Sequence, residues 1–221
     1  SQEFNAQRAL FEDAEKQVWQ PNSQSYTSLY NQLHFYPLQP YLDQRRLMHK
    51  TRLSDATEIK AFLEKYQDTP LDWPLRHHWL NFLIRQKQKA MYIESYRHNS
   101  DATLNCYYWR YQLDAGLPAS VVLPQVTKYW VVGKSQDKAC DPLFKQWQDA
   151  GYLTQSLVWQ RLTLAADGGK HTLIPYLTTL LDKDQQYLGE LFHKARKDPT
   201  YVTKLERFPH KSEREAQIMM Y

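Results

Sequence analysis

Cys106 and Cys140 are the only thiols in this chain of 221 residues, and they lie far apart in sequence. That spacing makes no CxxC redox or zinc motif, and two cysteines cannot complete a four-cysteine site. Two chemistries stay open. The pair are buried free thiols of a reducing compartment, or they form a disulfide tying the segment around Asn105-Cys106-Tyr107 to the loop before Asp141. Closing a loop of that size would add on the order of 3–4 kcal/mol of stability. His77-His78 looks like a metal pair, but neighbours on a helix point about 100° apart and cannot chelate as an i, i+4 pair does. One is expected to be half-buried beside Trp79 and the other solvated, with no metal site. A glycosidase needs two carboxyl groups at a set separation, or one acid with a strongly raised pKa. Asp43, Glu58, Glu64, Asp149 and Glu190 sit in helical patterns where a carboxylate is ordinarily solvated. No Gly-x-Ser-x-Gly elbow, phosphate-binding glycine loop or dinucleotide fingerprint occurs, so no cofactor is expected. The run Tyr107-Tyr108-Trp109-Arg110-Tyr111 offers stacking surfaces for sugars or bases; on a helix, such a run more often packs between neighbours.

The elements that must hold these residues read as helices. Six Gly against 11 Pro is a glycine-poor composition, whereas hairpin turns and bulges consume glycine. Glu3 to Gln20 carries Phe4, Leu10, Phe11, Ala14 and Val18 near one face, and Pro21 should stop it. Tyr26 to Phe35, Tyr41 to Lys50, and a stretch capped by Ser54 with Ile59, Phe62, Leu63 and Tyr66 repeat the pattern. Trp73 to Lys87 and Ala90 to Tyr96 make a pair. Asp101 caps a helix to Ala115 that Gly116 ends. Pro118 opens the next, and Asp141 caps Pro142 to Ala150 ahead of Gly151. Thr154 to Ala166, His171 to Leu181 and Asp184 to Arg196 complete roughly a dozen short helices. Their links are short enough to force neighbours antiparallel. The fold class expected is all-α: an α-hairpin solenoid or superhelix, with tetratricopeptide-like repeats that are degenerate because the strict 34-residue signature is missing. No linker divides residues 1–221. Ser212-Glu213-Arg214-Glu215 is a capping box opening an apolar helix that reaches Tyr221. That pattern suits either a piece of a longer helical domain or a plain helical terminus.

A net charge of +4 is mild, and the clusters Arg45-Arg46, Lys87-Gln88-Lys89 and Lys194-Ala195-Arg196-Lys197 are separated by acids. A dispersed excess is no nucleic-acid tract, so no nucleic-acid partner is expected. No segment approaches 18 apolar residues, so no membrane span is expected. The N-terminal Ser1-Gln2-Glu3-Phe4 shows no basic and apolar leader pattern; a mature exported protein and a cytosolic one read alike here.

Three windows carry a resemblance. Tyr36-Pro37-Leu38-Gln39-Pro40-Tyr41-Leu42, with Arg45, is the first. Cys106 with Tyr108 and the surrounding aromatics is the second. Gly133-Lys134-Ser135-Gln136, followed by Ala139-Cys140-Asp141-Pro142-Leu143-Phe144, Trp147 and Gly151, is the third. In order and spacing they resemble the N-terminal helical domain of soluble lytic murein transglycosylases. The resemblance implies a superhelix of short α-hairpins curling into a ring-like scaffold, on which a lysozyme-like catalytic domain sits. In that family the β-1,4 bond between N-acetylmuramic acid and N-acetylglucosamine of peptidoglycan is cleaved as the muramyl 6-hydroxyl displaces the leaving group. The product is 1,6-anhydro, and one glutamate acts as acid and then base. There the acid is followed by Ser, and a Gly-Leu-Met-Gln segment comes soon after. Glu94-Ser95 is followed by Tyr96-Arg97-His98-Asn99, and no Gly-Leu-Met-Gln occurs, so no catalytic residue carries over.

What the resemblance does imply is a disulfide between Cys106 and Cys140, a periplasmic location and a scaffold role. Residues 1–221 are then expected to be an N-terminal superhelical segment that is inactive alone. Its partners would be a C-terminal catalytic domain of the same parent and peptidoglycan glycan strands met through basic residues. A helical-repeat scaffold unrelated to murein, holding a protein or peptide in its groove, is the second reading.

Overall fold

The computed structural model describes residues 2–203 and 207–220. Among them are thirteen α-helices joined by short turns and 3₁₀ segments, and no strand. Contacts divide the chain into two compact units, Ser1–Arg97 and His98–Tyr221, at a point that no Gly- or Pro-rich linker marks.

The first unit holds α1 (Gln2–Gln17), α2 (Gln24–Gln32), α3 (Gln39–Met48), α4 (Ala56–Lys65), α5 (Asp72–Arg85) and α6 (Lys89–Ser95). Helix α1 packs on α2 and α3, and α5 packs on α3, α4 and α6. Each element thus touches its successor or the one after, the contact pattern of stacked helical hairpins. Ala14, Val18, Tyr26, Leu33, Tyr36 and Leu42 form one core cluster. Leu75, Leu80, Leu83 and Ile59 are fully buried on α5 and α4. A buried ion pair is built into α5: Arg76 Nε donates to Asp72 Oδ1 at 2.7 Å, and Arg76 Nη1 donates to the Ser95 carbonyl at 2.6 Å. That guanidinium ties α5 to the end of α6.

The second unit holds α7 (Ala102–Asp114), α8 (Ala119–Trp130), α9 (Asp141–Asp149), α10 (Gln155–Ala166), α11 (Ile174–Thr179), α12 (Gln186–Lys197) and α13 (Glu213–Met219). Here α8 packs on α7 and α9, α11 on α10 and α12, and α13 on α12. One continuous core runs through the unit, with Trp147, Leu162, Leu177, Phe192 and Ile218 fully or almost fully buried. Both α7 and α9 end in a residue of left-handed conformation, Gly116 at φ 99° and Gly151 at φ 87°. The following amides, Leu117 and Tyr152, turn back to Gln112 and Trp147 carbonyls at 2.9 and 3.1 Å. The same return occurs after α5 without glycine: Lys87 sits at φ 55° and Gln88 N–H reaches the Leu83 carbonyl at 2.9 Å.

Some boundaries differ from expectation. Helix α1 stops at Gln17, short of Pro21. Ser54 caps nothing; a 3₁₀ turn, Leu53–Asp55, intervenes, and Asp55 Oδ2 accepts from the Arg52 N–H at 2.9 Å before α4 starts at Ala56. Asp141 is the first residue of α9, and Asp137 supplies a cap one turn earlier by accepting from the Ala139 N–H at 2.8 Å. Helix α8 runs through Pro124, whose solvent-facing position spares the core the missing amide. At the C-terminal side the Ser212–Glu215 capping box forms as read, while Tyr221 lies outside the described residues.

Candidate functional site

The most informative sequence block, Gly133 to Trp147, becomes the joint between α8, α9 and α10. Gly133 lies against the end of α10, where a Cβ would come within 2.5 Å of the Leu164 carbonyl oxygen. Its own carbonyl accepts from Lys170 N–H at 2.7 Å. Gln136 Nε2 donates to the Tyr129 carbonyl at 2.7 Å, closing the end of α8. The Sγ atoms of Cys106 and Cys140 are bonded at 2.06 Å, so the turn before α9 is covalently fixed to α7. Arg110 reinforces that junction: its guanidinium lies 5.0 Å from the Tyr107 ring and donates to the Ala139 carbonyl at 3.2 Å. Trp147 is fully buried against Trp130, ring centroids 5.4 Å apart, with its Nε1 donating to Thr127 Oγ1 at 3.0 Å.

A shallow groove of about 530 Å³ runs beside this joint, lined by Trp130, Gln136, Phe144, Arg161 and Tyr176 among others. Arg161 is its unusual member. The residue is only 5% exposed, sits 4.8 Å over the Trp130 ring, and donates from Nη2 to the Lys134 carbonyl at 3.0 Å. Its Nε is buried without a partner, and burial pulls its pKa below the usual arginine range. A guanidinium so placed has no carboxylate within ion-pair distance among the described residues.

A second, larger groove of about 760 Å³ lies wholly in the first unit, between the α1–α2 turn, α2, α3 and the start of α4. Tyr30 Oη donates to Asp43 Oδ2 at 2.8 Å. Arg46 bridges Asp43 and Glu58, holding the latter through both terminal guanidinium nitrogens, Nη1 and Nη2.

The other sequence candidates take structural places. Glu94 is exposed and paired with Lys60. His77 and His78 are both half-buried, not split between core and solvent: His78 Nε2 lies 2.7 Å from Thr51 Oγ1, and the His77 ring is 5.4 Å from that of Trp73. No cluster of three metal-ligating side chains occurs among the described residues. In the aromatic run, Tyr111 is buried and Trp109 packs on the core of the second unit.

Comparison with known proteins follows the same joints and helices. No family model matches the chain. Over 173 residues it is 24% identical to the soluble lytic murein transglycosylase of Escherichia coli K12, covering 78% of this chain and 27% of that protein. The Salmonella typhimurium enzyme of the same name gives 24% over 168 residues, 76% of this chain and 26% of that one. The chain resembles soluble lytic murein transglycosylases. The likeness extends to the fold: the lytic transglycosylase Slt of Pseudomonas aeruginosa, solved as an inactive mutant, superposes at a TM-score of 0.73 with 29% identity. That match covers 95% of this chain and 34% of the other. The Escherichia coli 70-kDa enzyme, Slt70, gives the same TM-score at 20% identity over 97% of this chain and 35% of its own. This chain therefore spans about a quarter of the length of the curated relatives and a third of the solved ones.

The sequence pointed to the Gly133–Trp147 block and to Cys106 but not to Arg161 or the first-unit groove. Arg161 sits in an ordinary amphipathic pattern, and burial without an acid is a property of its neighbours. The groove draws on four chain segments whose residues are unremarkable one at a time.

Proposed function

We propose that residues 1–221 act as a non-catalytic helical scaffold of a periplasmic lytic transglycosylase, whose chemistry resides in a separate C-terminal domain of the same parent. The observation that carries this is the joint agreement of sequence, 24% over 173 residues, and of fold, a TM-score of 0.73, with enzymes of that name. The substrate of the parent is then the glycan strand of peptidoglycan, cut with formation of a 1,6-anhydro end. Two features support a scaffold role. The one carboxylate whose sequence neighbourhood invited comparison, Glu94, is exposed and paired with Lys60. The block that resembles the family is spent on packing, capping and a cross-link. A disulfide requires an oxidising compartment, which supports the periplasmic assignment. No helix of the described residues is long and apolar enough to cross a membrane.

The test is incubation of the purified chain with murein sacculi, followed by separation of released muropeptides. No 1,6-anhydro product is expected; its appearance overturns the non-catalytic role. An unrelated protein-binding scaffold is not favoured, because the similarity to murein enzymes covers most of the chain.

A further inference from the structure

The groove of the first unit has three properties that belong together. The first is an exposed aromatic surface. Trp19 stands just beyond α1 and lines the groove while remaining 51% exposed, an unusual degree for the largest apolar side chain. Its indole is braced by the His49 ring at 4.6 Å, so the exposed ring is held in place. The second is a hydrogen-bonding group that the fold leaves unused. Tyr26, one of the residues bordering the groove, is 96% buried, and its hydroxyl is covered by protein without a hydrogen-bond partner. Burial and the nearby Asp43 charge, partly offset by Arg46, push its pKa up to about 12, so the hydroxyl keeps its proton and can donate as well as accept. A buried polar group without a partner is costly, and each one in a native protein calls for a physical reason, a water, an ion or a functional contact. The third is an array of planar polar side chains already fixed by one another: Tyr30 on Asp43, and Arg46 between Asp43 and Glu58.

Charge decides what class of molecule fits. Arg46, Lys50 and Arg52 face Asp43, Asp55 and Glu58 around the groove, so the lining has no net sign to attract a polyanion. A purely apolar ligand would strip water from side chains that are still partly exposed, Asp43, Arg46 and Glu58, and replace none of it. What remains is a neutral molecule with one weakly apolar C–H face and many hydroxyls or amides. At about 760 Å³ the groove lies within the range of roughly 300–1,000 Å³ usual for small-ligand sites.

We infer that the groove formed by Trp19, Tyr26, Asp43, Arg46 and Glu58 binds a neutral oligosaccharide, with a sugar ring on the indole and its hydroxyls on the Tyr26 and Asp43–Arg46–Glu58 groups. That it takes a saccharide rests on the groove alone; that the saccharide is an N-acetylhexosamine chain rests on the murein reading above.

The experiment titrates the purified 221-residue chain with chitotetraose and, separately, with cellotetraose, following intrinsic tryptophan fluorescence and saturation-transfer NMR. Saturable binding is expected, weakened about tenfold or more in Trp19→Ala. Tyr26→Phe, which keeps the ring and its packing, is expected to weaken it about three- to tenfold. Circular dichroism and melting temperature of both variants establish that they fold. Preference for chitotetraose supports both the groove and the murein reading, while equal or better binding of cellotetraose keeps the groove and counts against the murein reading. No saturable binding of either sugar, or binding unchanged in both folded variants, overturns the inference.

Discussion

Reducing the Cys106–Cys140 bond is the perturbation whose size is set most directly by the architecture. The two cysteines are separated by 34 positions and enclose all of α8. In the chain-entropy treatment, a loop of that length restrains the unfolded chain by about 13 cal/mol/K, or about 4 kcal/mol at 25 °C. The bond lies in a unit of about 120 residues, for which the unfolding entropy is about 0.25 kcal/mol/K. The quotient is a fall of about 15 °C in the melting temperature of that unit. Reduction is a cleaner perturbation than mutation, because both buried sulfurs are retained as thiols that move apart only to non-bonded contact, and no side-chain atom is removed to leave a cavity. Differential scanning calorimetry with and without phosphine reductant measures the effect, and intact mass after alkylation of the unfolded protein verifies that two thiols were released. A fall of less than about 4 °C, with reduction complete, would refute the reasoning: the cross-link would then be restraining a segment already held together in the unfolded ensemble.

Gly133→Ala should destabilise the second unit by about 2–3 kcal/mol, read from urea denaturation, because the new Cβ meets backbone at 2.5 Å and neither strand of chain can give way cheaply. Asp72→Ala should cost about 3–5 kcal/mol in the first unit, since it leaves the Arg76 guanidinium buried without its counter-charge; Asp72→Ala combined with Arg76→Met should recover much of that loss. Acid should weaken the second unit through Glu215. Burial pushes this carboxyl up, but hydrogen bonds from Tyr187, from Ser212 and from the His210 amide outweigh it and hold its pKa below the usual glutamate value. The stabilisation is therefore present above the unfolded pKa and lost as pH falls through the folded one, and Glu215→Gln should flatten the melting temperature between about pH 5 and pH 3. His78 adds a milder slope in the first unit. Burial and the Arg85 charge lower its pKa, so stability should decline as pH drops below about 6.5, and His78→Gln should remove that part.

Much of the helical layout follows from local rules. Where a cap or stop is a property of one or two residues, the sequence determines it: Asp101 accepts from the Thr103 and Leu104 amides, Gly116 and Gly151 end their helices, and Ser212 with Glu215 closes a box. Where two polar residues close in sequence could each begin the turn, the sequence alone misleads, as at Ser54 and Asp55 or at Asp141 and Asp137. The family likeness was also legible, because Gly133, Gln136, Cys140 and Trp147 each meet a demand of close approach, capping, cross-linking or core volume that few other residues satisfy.

The tertiary structure alone decided the rest. Residues 1–97 and 98–221 cluster separately, although nothing in composition changes at Arg97. Arg161 became a buried cation and Tyr26 a buried hydroxyl without a partner, and Glu94 an ordinary surface ion pair. Helical periodicity records which face of a helix is apolar, a matter of neighbours three and four positions away. Whether a polar atom on that face meets a partner depends on side chains tens of residues distant, and such pairings leave no period to read.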